Sequence, residues 1–487
     1  MKKLVAVLLV LLVLASAGLV WMLVKIRAIS MEAVPTGTGV TEQMTQLPTE
    51  QTVQETVFEL SLEGITYSQD AAEICASSVS AEVLEKLPQM TALERVTVAD
   101  GGSGENLDLL RQYCEEAGIA FCLELAGKTV TDEDTELVLP HVTQPQLRLL
   151  TLMPNLKRLH FPEPEAPAEM LLALREQLLD ANITWEKTVL GVAFPQDTEQ
   201  VDLTAVIARA EGESSDAKTA YEYGLENPVM GTQEEIPSSM KLDEKHPFPD
   251  KRDITQQLIA EVEGAMAYFP EAEQLTLCGA WLDNEAMAQL REAHREDYKV
   301  VWSIQCGPLA TRTDAKLFMP TKYYVTAGSI ADWHTAELKY CEEIVSMDIG
   351  HMSIAELDFV RYMPNLKYLD IALNHIVDLT PLAECKSLVF LVMHSLSLEL
   401  DYSPLKECTA LEDLNIADNP GDISPVFEMK QLKNLWITGC GQENYKRAKA
   451  SLPDTNIGYH YGDPNAGWRR LPNYFKMRDE LLMFYMK

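Results

Sequence analysis

The stretch Leu366-x-x-Leu369-x-Ile371-x-x-Asn374 returns as Leu388-x-x-Leu391-x-Met393, Leu411-x-x-Leu414-x-Ile416-x-x-Asn419 and Leu432-x-x-Leu435-x-Ile437, and Ile344-x-x-Met347-x-Ile349 precedes them. The starts at 344, 366, 388, 411 and 432 are 22, 22, 23 and 21 residues apart. That spacing lies inside the window of about 20 to 29 residues used by stacked strand-and-return units. Alternating apolar residues put one face of a short strand inward, and the chain must then turn back on apolar anchors of its own. Those anchors recur in step as Asp378-Leu379-Thr380-Pro381-Leu382, Asp401-Tyr402-Ser403-Pro404-Leu405 and Asp422-Ile423-Ser424-Pro425-Val426. Two independent registers therefore predict an α/β solenoid, with short parallel strands on one face and helical or irregular returns on the other.

From Cys341 to Cys440 these repeats resemble internalin-like leucine-rich-repeat surface proteins, which share the same return of aspartate, apolar residue, serine or threonine, proline and apolar residue. Beyond them, Gly467-Trp468-Arg469-Arg470, Asn473-Tyr474-Phe475 and Met477-Arg478-Asp479 resemble the C-terminal ending of leucine-rich-repeat proteins from anaerobic Gram-positive bacteria. The resemblance implies a terminal cap over 441–487 and a binding role, and it supplies no catalytic residue.

The first half carries a looser, longer unit. Leu93-x-x-Val96-x-Val98, Leu156-x-x-Leu159-x-Phe161 and Ala272-x-x-Leu275-x-Leu277 each open a strand, and a helical pattern follows each. A second strand comes next, as Ile119-x-Phe121, Ile183-x-Trp185 and Val300-x-Trp302, closed by Gly127, Gly191 and Gly307. Leu152-Met153-Pro154-Asn155-Leu156-Lys157 matches Tyr362-Met363-Pro364-Asn365-Leu366-Lys367, with His141 and His351 at equal offsets, so one ancestral unit explains both halves. The expected order is degenerate modules over 57–210, an acidic insertion over 211–252, a third long module over 253–340, and the regular repeats over 341–440.

Leu4 to Val24 form a charge-free apolar run between Lys2-Lys3 and Lys25/Arg27, long enough for the roughly 20 residues that cross a bilayer. It predicts a transmembrane helix within 1–27 that anchors the chain in the cell membrane as a single-pass protein, its bulk extracytoplasmic. Ala15-Ser16-Ala17 keeps a cleaved signal peptide open as the alternative. A disordered stalk, rich in Thr, Gln, Glu and Pro, is expected over 28–56. With 40 Lys and Arg against 74 Asp and Glu, the net charge is −34, which repels phosphate backbones and argues against nucleic acid as a partner. The nine cysteines contain no C-x-x-C pair and read as small buried hydrophobes rather than a zinc site or disulfide framework.

Catalytic signatures are sparse. Gly127-Lys128-Thr129 lacks the earlier glycine of a phosphate loop, since Cys122 stands there. H-E-x-x-H and G-x-S-x-G are absent from the sequence. His351, His375 and His394 fall at unequal offsets within their repeats, and Asp132-Glu133-Asp134 lacks the rest of a calcium loop. No metal or cofactor is expected. Residues between the strand leucines point to the concave face and stack in two columns. One reads Ser346, Tyr368, Phe390, Asp413, Asn434, and its neighbour reads Asp348, Asp370, Val392, Asn415, Trp436. Tyr368, Phe390, Trp436, Asp348, Asp370, Asp413 and Asn415 are the candidate ligand-binding residues, either open to a protein or peptide ligand or folded under the segment around Trp468. The expected function is non-enzymatic protein or peptide binding at the cell surface. A cell-wall or glycan-acting enzyme using Asp348 and Asp370 and a structural spacer are the alternatives.

Overall fold

The computed structural model describes residues 59–207 and 251–483, apart from 63, 101, 103–105, 280–281, 308, 321–329, 397–398, 461–462 and 464. The apolar run at 4–24, the stalk and nearly all of the acidic stretch lie outside the described residues. No helix among the described residues is long and apolar enough to cross a membrane.

A hairpin of β1 (Leu60–Leu62) and β2 (Ile65–Tyr67) precedes three modules of one design. The first contains β3 (Glu73–Ala76), α1 (Ala81–Lys86), β4 (Arg95–Val98), α2 (Leu107–Ala117), β5 (Ala120–Leu125) and β6 (Lys128–Thr131). Its first three strands are parallel, and β6 folds back antiparallel on β5. Ala126 and Gly127, at φ 49° and 75°, make the two-residue turn, a left-handed pair whose twist matches the strands it joins. The second module repeats the plan with β7 (Glu136–Val138), α3 (Gln144–Leu150), β8 (Arg158–Pro162), α4 (Ala168–Gln177), β9 (Asn182–Val189) and β10 (Val192–Pro195), and Leu190-Gly191 takes the same turn.

The third module corrects the expected boundaries. It opens with β11 (Gln200–Asp202), parallel to β12 (Gln274–Leu277), and continues through α6 (Asn284–Ala293), β13 (Lys299–Cys306) and β14 (Leu309–Arg312). The acidic stretch thus interrupts a module between β11 and the helix α5 (Lys251–Met266) that precedes β12. The unit read as strand, helix, strand also has one more strand at its start. Those strands are only three or four residues long, too short for their alternation to stand out.

That extra strand resolves the long unit into the short one. Glu73 pairs with Arg95 and Glu136 with Arg158, each 22 residues on, the spacing of the regular repeats. His141 and His351 occupy one position in the two halves. Both are left-handed, at φ 55° and 63°, and both donate their N–H to the next strand's chain, to Pro162 O at 3.0 Å and Ala372 O at 2.9 Å.

The regular repeats build one seven-stranded sheet, from β15 (Leu317–Phe318) through β16 (Ser346–Asp348), β17 (Tyr368–Asp370), β18 (Phe390–Val392), β19 (Asp413–Asn415) and β20 (Asn434–Trp436) to β21 (Asn456–Gly458), all parallel. The central residues Met347, Leu369, Leu391, Leu414 and Leu435 are fully buried against the returns. Each of the three proline returns is a 3-10 helix, Thr380–Glu384, Ser403–Glu407 and Ser424–Glu428, with proline in its first turn, where no amide bond is lost. The aspartate two residues before accepts the first N–H, at 2.8, 2.8 and 2.9 Å for Asp378, Asp401 and Asp422. These bonds hold the three carboxyls below the usual carboxylate range. Asn374 and Asn419 are buried and tie adjacent repeats together: Asn374 accepts from Ile354 N and donates to Ile349 O and Ile371 O, while Asn419 accepts from Leu396 N and donates to Met393 O.

Candidate functional site

The middle residue of each three-residue strand points into the core, so its first and third residues lie on the opposite sheet face. Strand pairing brings the two predicted columns into being: Ser346, Tyr368, Phe390, Asp413 and Asn434 are successive partners, and so are Asp348, Asp370, Val392, Asn415 and Trp436. The open stripe does not exist. Tyr368, Phe390 and Trp436 are 6%, 0% and 3% exposed, and Asp413 and Asn415 are buried with them. Asp348 and Asp370 alone among the seven keep partial exposure.

The cover is the chain's own C-terminus. After β21 it reverses, makes a 3-10 turn at Trp468–Arg470, and lays the helix α7 (Pro472–Met483) back across the sheet as far as β15 and β16. Trp468 stacks on Phe390, centroids 4.9 Å apart, and meets Trp436 edge-on at 5.4 Å. With Met319, Leu471 and Met477 these rings form a second apolar core, separate from the one inside the repeats. Removing such aromatic surface from water outweighs leaving it open, so of the two expected arrangements it is the one with the Trp468 segment folded over the aromatics that is found.

Polar contacts fix the register of this strap. The Trp436 indole N–H donates to Ala466 O at 2.8 Å. Asn465 accepts from Asn415 at 3.2 Å and bonds His394 at 3.0 Å. Asp413, fully enclosed, accepts from Asn434 at 2.7 Å and from Asn473 of the strap at 3.0 Å. Burial pushes the Asp413 carboxyl up and holds the His394 imidazole down at about 4. Two glycines make room. A methyl group on Gly458 would lie 2.4 Å from the Trp436 ring, and Gly467 takes φ 82° beside the same ring.

Asp348 and Asp370 sit side by side on β16 and β17. Each caps the turn after its strand, Asp348 accepting from Gly350 N at 3.3 Å and Asp370 from Ala372 N at 3.0 Å. Burial, and for Asp370 the neighbouring Asp348 charge, raises both carboxyls above the usual range. Arg478 of the strap lies 4.0 Å from Asp348, and Arg469 lowers the cost of the Asp370 charge.

Sequence reading reached the seven face residues and the C-terminal ending that holds Asn473 and Arg478, but did not pair Asn465, Asn473 or Arg478 with particular face residues. The available signal was an inconsistency: three large aromatics occupy the outward register of an otherwise polar column. Of the three histidines, His351 and His375 are exposed and His394 is buried under the strap; among the described residues no group of His, Cys, Asp and Glu forms a metal site. Eight of the nine cysteines are buried or half-buried, with Cys75 exposed.

No protein-family model and no curated protein matches the chain. Among solved structures it is similar to an internalin (InlF) of Listeria monocytogenes, 14% identical over 73% of this chain and 96% of that one, TM-score 0.27. A leucine-rich-repeat protein of Leptospira interrogans is 12% identical over 79% and 93%, TM-score 0.26. The mouse RP105/MD-1 complex is 12% identical over 76% and 59%, TM-score 0.24. The structural neighbours are thus internalins and other leucine-rich-repeat proteins, while the assignment of this chain to a leucine-rich-repeat α/β solenoid stands on its own strand register and returns.

Proposed function

We propose that the chain is a non-enzymatic, membrane-anchored leucine-rich-repeat protein that binds a protein or peptide ligand outside the cell. The observation that carries this reading is the sheet face itself, which already holds a peptide segment through aromatic stacking, side-chain amides and a buried carboxylate. That is the chemistry of polypeptide recognition. The charge-free run from Leu4 to Val24 supports the anchor and an outward-facing bulk, and the resemblance of the C-terminal ending supports an anaerobic Gram-positive source. The glycan-acting alternative loses ground, because Asp348 lies 4.0 Å from Arg478 of the strap and both Asp348 and Asp370 accept from the turns after their own strands, an arrangement unlike an acid beside an open sugar site.

A peptide-display selection against the intact, immobilised chain tests the binding role, with the selected ligand's footprint mapped by hydrogen exchange. Added protection in the strands from 346 to 436 is expected. A ligand set whose protection spares every strand of the sheet would remove the reading.

A further inference from the structure

The strap has a chemistry of its own, and it is the opposite of the chain's. The whole protein carries 40 basic against 74 acidic residues, yet the strap from Trp468 to Met483 contains Arg469, Arg470, Lys476 and Arg478 against Asp479 and Glu480, a basic excess. The face beneath it presents three carboxylates, Asp348, Asp370 and Asp413, around the aromatic floor of Phe390 and Trp436. Complementary charge across an apolar centre is how a recognition surface selects its partner. The fit is also incomplete. Among the described residues, the Trp468 indole N–H and the Ser346 hydroxyl are buried without a hydrogen-bond partner, a cost that a well-matched partner avoids.

We infer that the strap is a tethered stand-in for the true ligand, and that the face beneath it accepts in trans a basic polypeptide segment carrying an aromatic anchor, which displaces the strap. This rests on the proposed binding role and names the partner's chemistry. Trp468 supplies the aromatic anchor, Asn465 and Asn473 the amides for Asn415 and Asp413, and Arg478 the cation beside Asp348. Competition with a tethered segment sets the affinity scale. A short linker holds the strap at an effective concentration on the order of millimolar, so a free peptide of equal intrinsic affinity binds the intact chain no better than about that.

The probe is a labelled synthetic peptide of residues 465–483, titrated against the full chain and its Trp468→Ala variant at low and at physiological salt. Weakening the tethered anchor is expected to tighten peptide binding at least tenfold, and Asp348→Asn with Asp370→Asn in the same background to weaken it again with a shallower salt dependence. A scrambled peptide of the same composition controls for charge alone. Equal binding of the scrambled peptide, or no gain on Trp468→Ala, overturns the inference. So does a Trp468→Ala chain whose repeats lose their native hydrogen-exchange protection, because the strap is then an inseparable part of the fold. Asn465→Ala with Asn473→Ala gives a milder release and must show the same direction of change. If displayed ligands protect the sheet while this peptide fails, the binding role survives and only the partner's chemistry falls.

Discussion

Gly458→Ala isolates the contact between strap and sheet. The added methyl would stand 2.4 Å from Trp436 Cδ2 and Cε2 and 2.8 Å from Cγ, where carbon atoms rest at about 3.5 to 4.0 Å. The backbone cannot yield, because Trp436 and Gly458 are ladder partners and Ile437 N donates to Gly458 O at 3.0 Å. The indole must retreat by about 1 Å, leaving its bond to Ala466 O and its edge contact with Trp468. Overpacking costs about 1 to 3 kcal/mol, the hydrogen bond about 1, and the aromatic contact about 0.5 to 1.5. These overlap, so the strap should be weakened by about 2 to 4 kcal/mol, a roughly 30- to 700-fold larger open fraction. Trypsin reads that fraction at Arg469 and Arg470 when opening is fast relative to cleavage. The expected result is a rise in C-terminal clipping of that order, with the rest of the chain intact at early times. Clipping within threefold of the parent rate would refute the reasoning, and so would degradation of the whole chain at one common rate.

Asn374→Ala removes three backbone partners from a buried site and should cost about 2 to 4 kcal/mol in urea denaturation followed by far-ultraviolet circular dichroism; a shift below about 0.5 kcal/mol would contradict the inter-repeat role. Asp370→Asn keeps the acceptor for Ala372 N while removing a desolvated charge. Because the folded carboxyl titrates above its unfolded value, its charge penalty is absent below the unfolded value of about 3.9 and grows as pH rises through the folded one. The variant should therefore be more resistant to urea than the parent at pH 7, with the difference fading toward pH 3. In the native chain Cys75 should alkylate first, since burial pushes the Cys385 and Cys408 thiols up to about 12; mass spectrometry that found either of those labelled alongside Cys75 would count against their burial. Sequencing the mature N-terminus tests the proposed anchor: retention of the run from Leu4 to Val24 is expected, and a start just after Ala17 would make it a cleaved signal instead.

The repeats were legible because they obey local rules: Leu369 and Leu414 alternate with outward residues, and Asp378 and Pro381 cap and start a return whose geometry depends on five neighbouring residues. Even the stacking columns follow from spacing alone, since a 22-residue period in parallel strands fixes who meets whom. The strap was not legible in the same way. Whether Phe390 faces water or Trp468 depends on a contact 78 residues away in sequence (468 − 390), and no periodicity encodes the direction in which the chain turns after Gly458. The opening strands of the long modules hid for another reason. Glu136-Leu137-Val138 buries only Leu137, so its pairing with β8 is set by the module around it.

The hairpins that end the three long modules have a mechanical consequence. Antiparallel β6, β10 and β14 each stop the parallel ladder, so hydrogen bonding does not run on from sheet to sheet. A pull on the two ends is then met by a row of separate fuses and not by one long zip. With module starts at Glu73, Glu136 and Gln200, the first two fuses release 63 and 64 residues of slack, each about 220 Å at full extension, while the seven-stranded sheet under its strap forms a longer final element. Pulled from its two ends, a chain built this way would lengthen in steps, one module at a time.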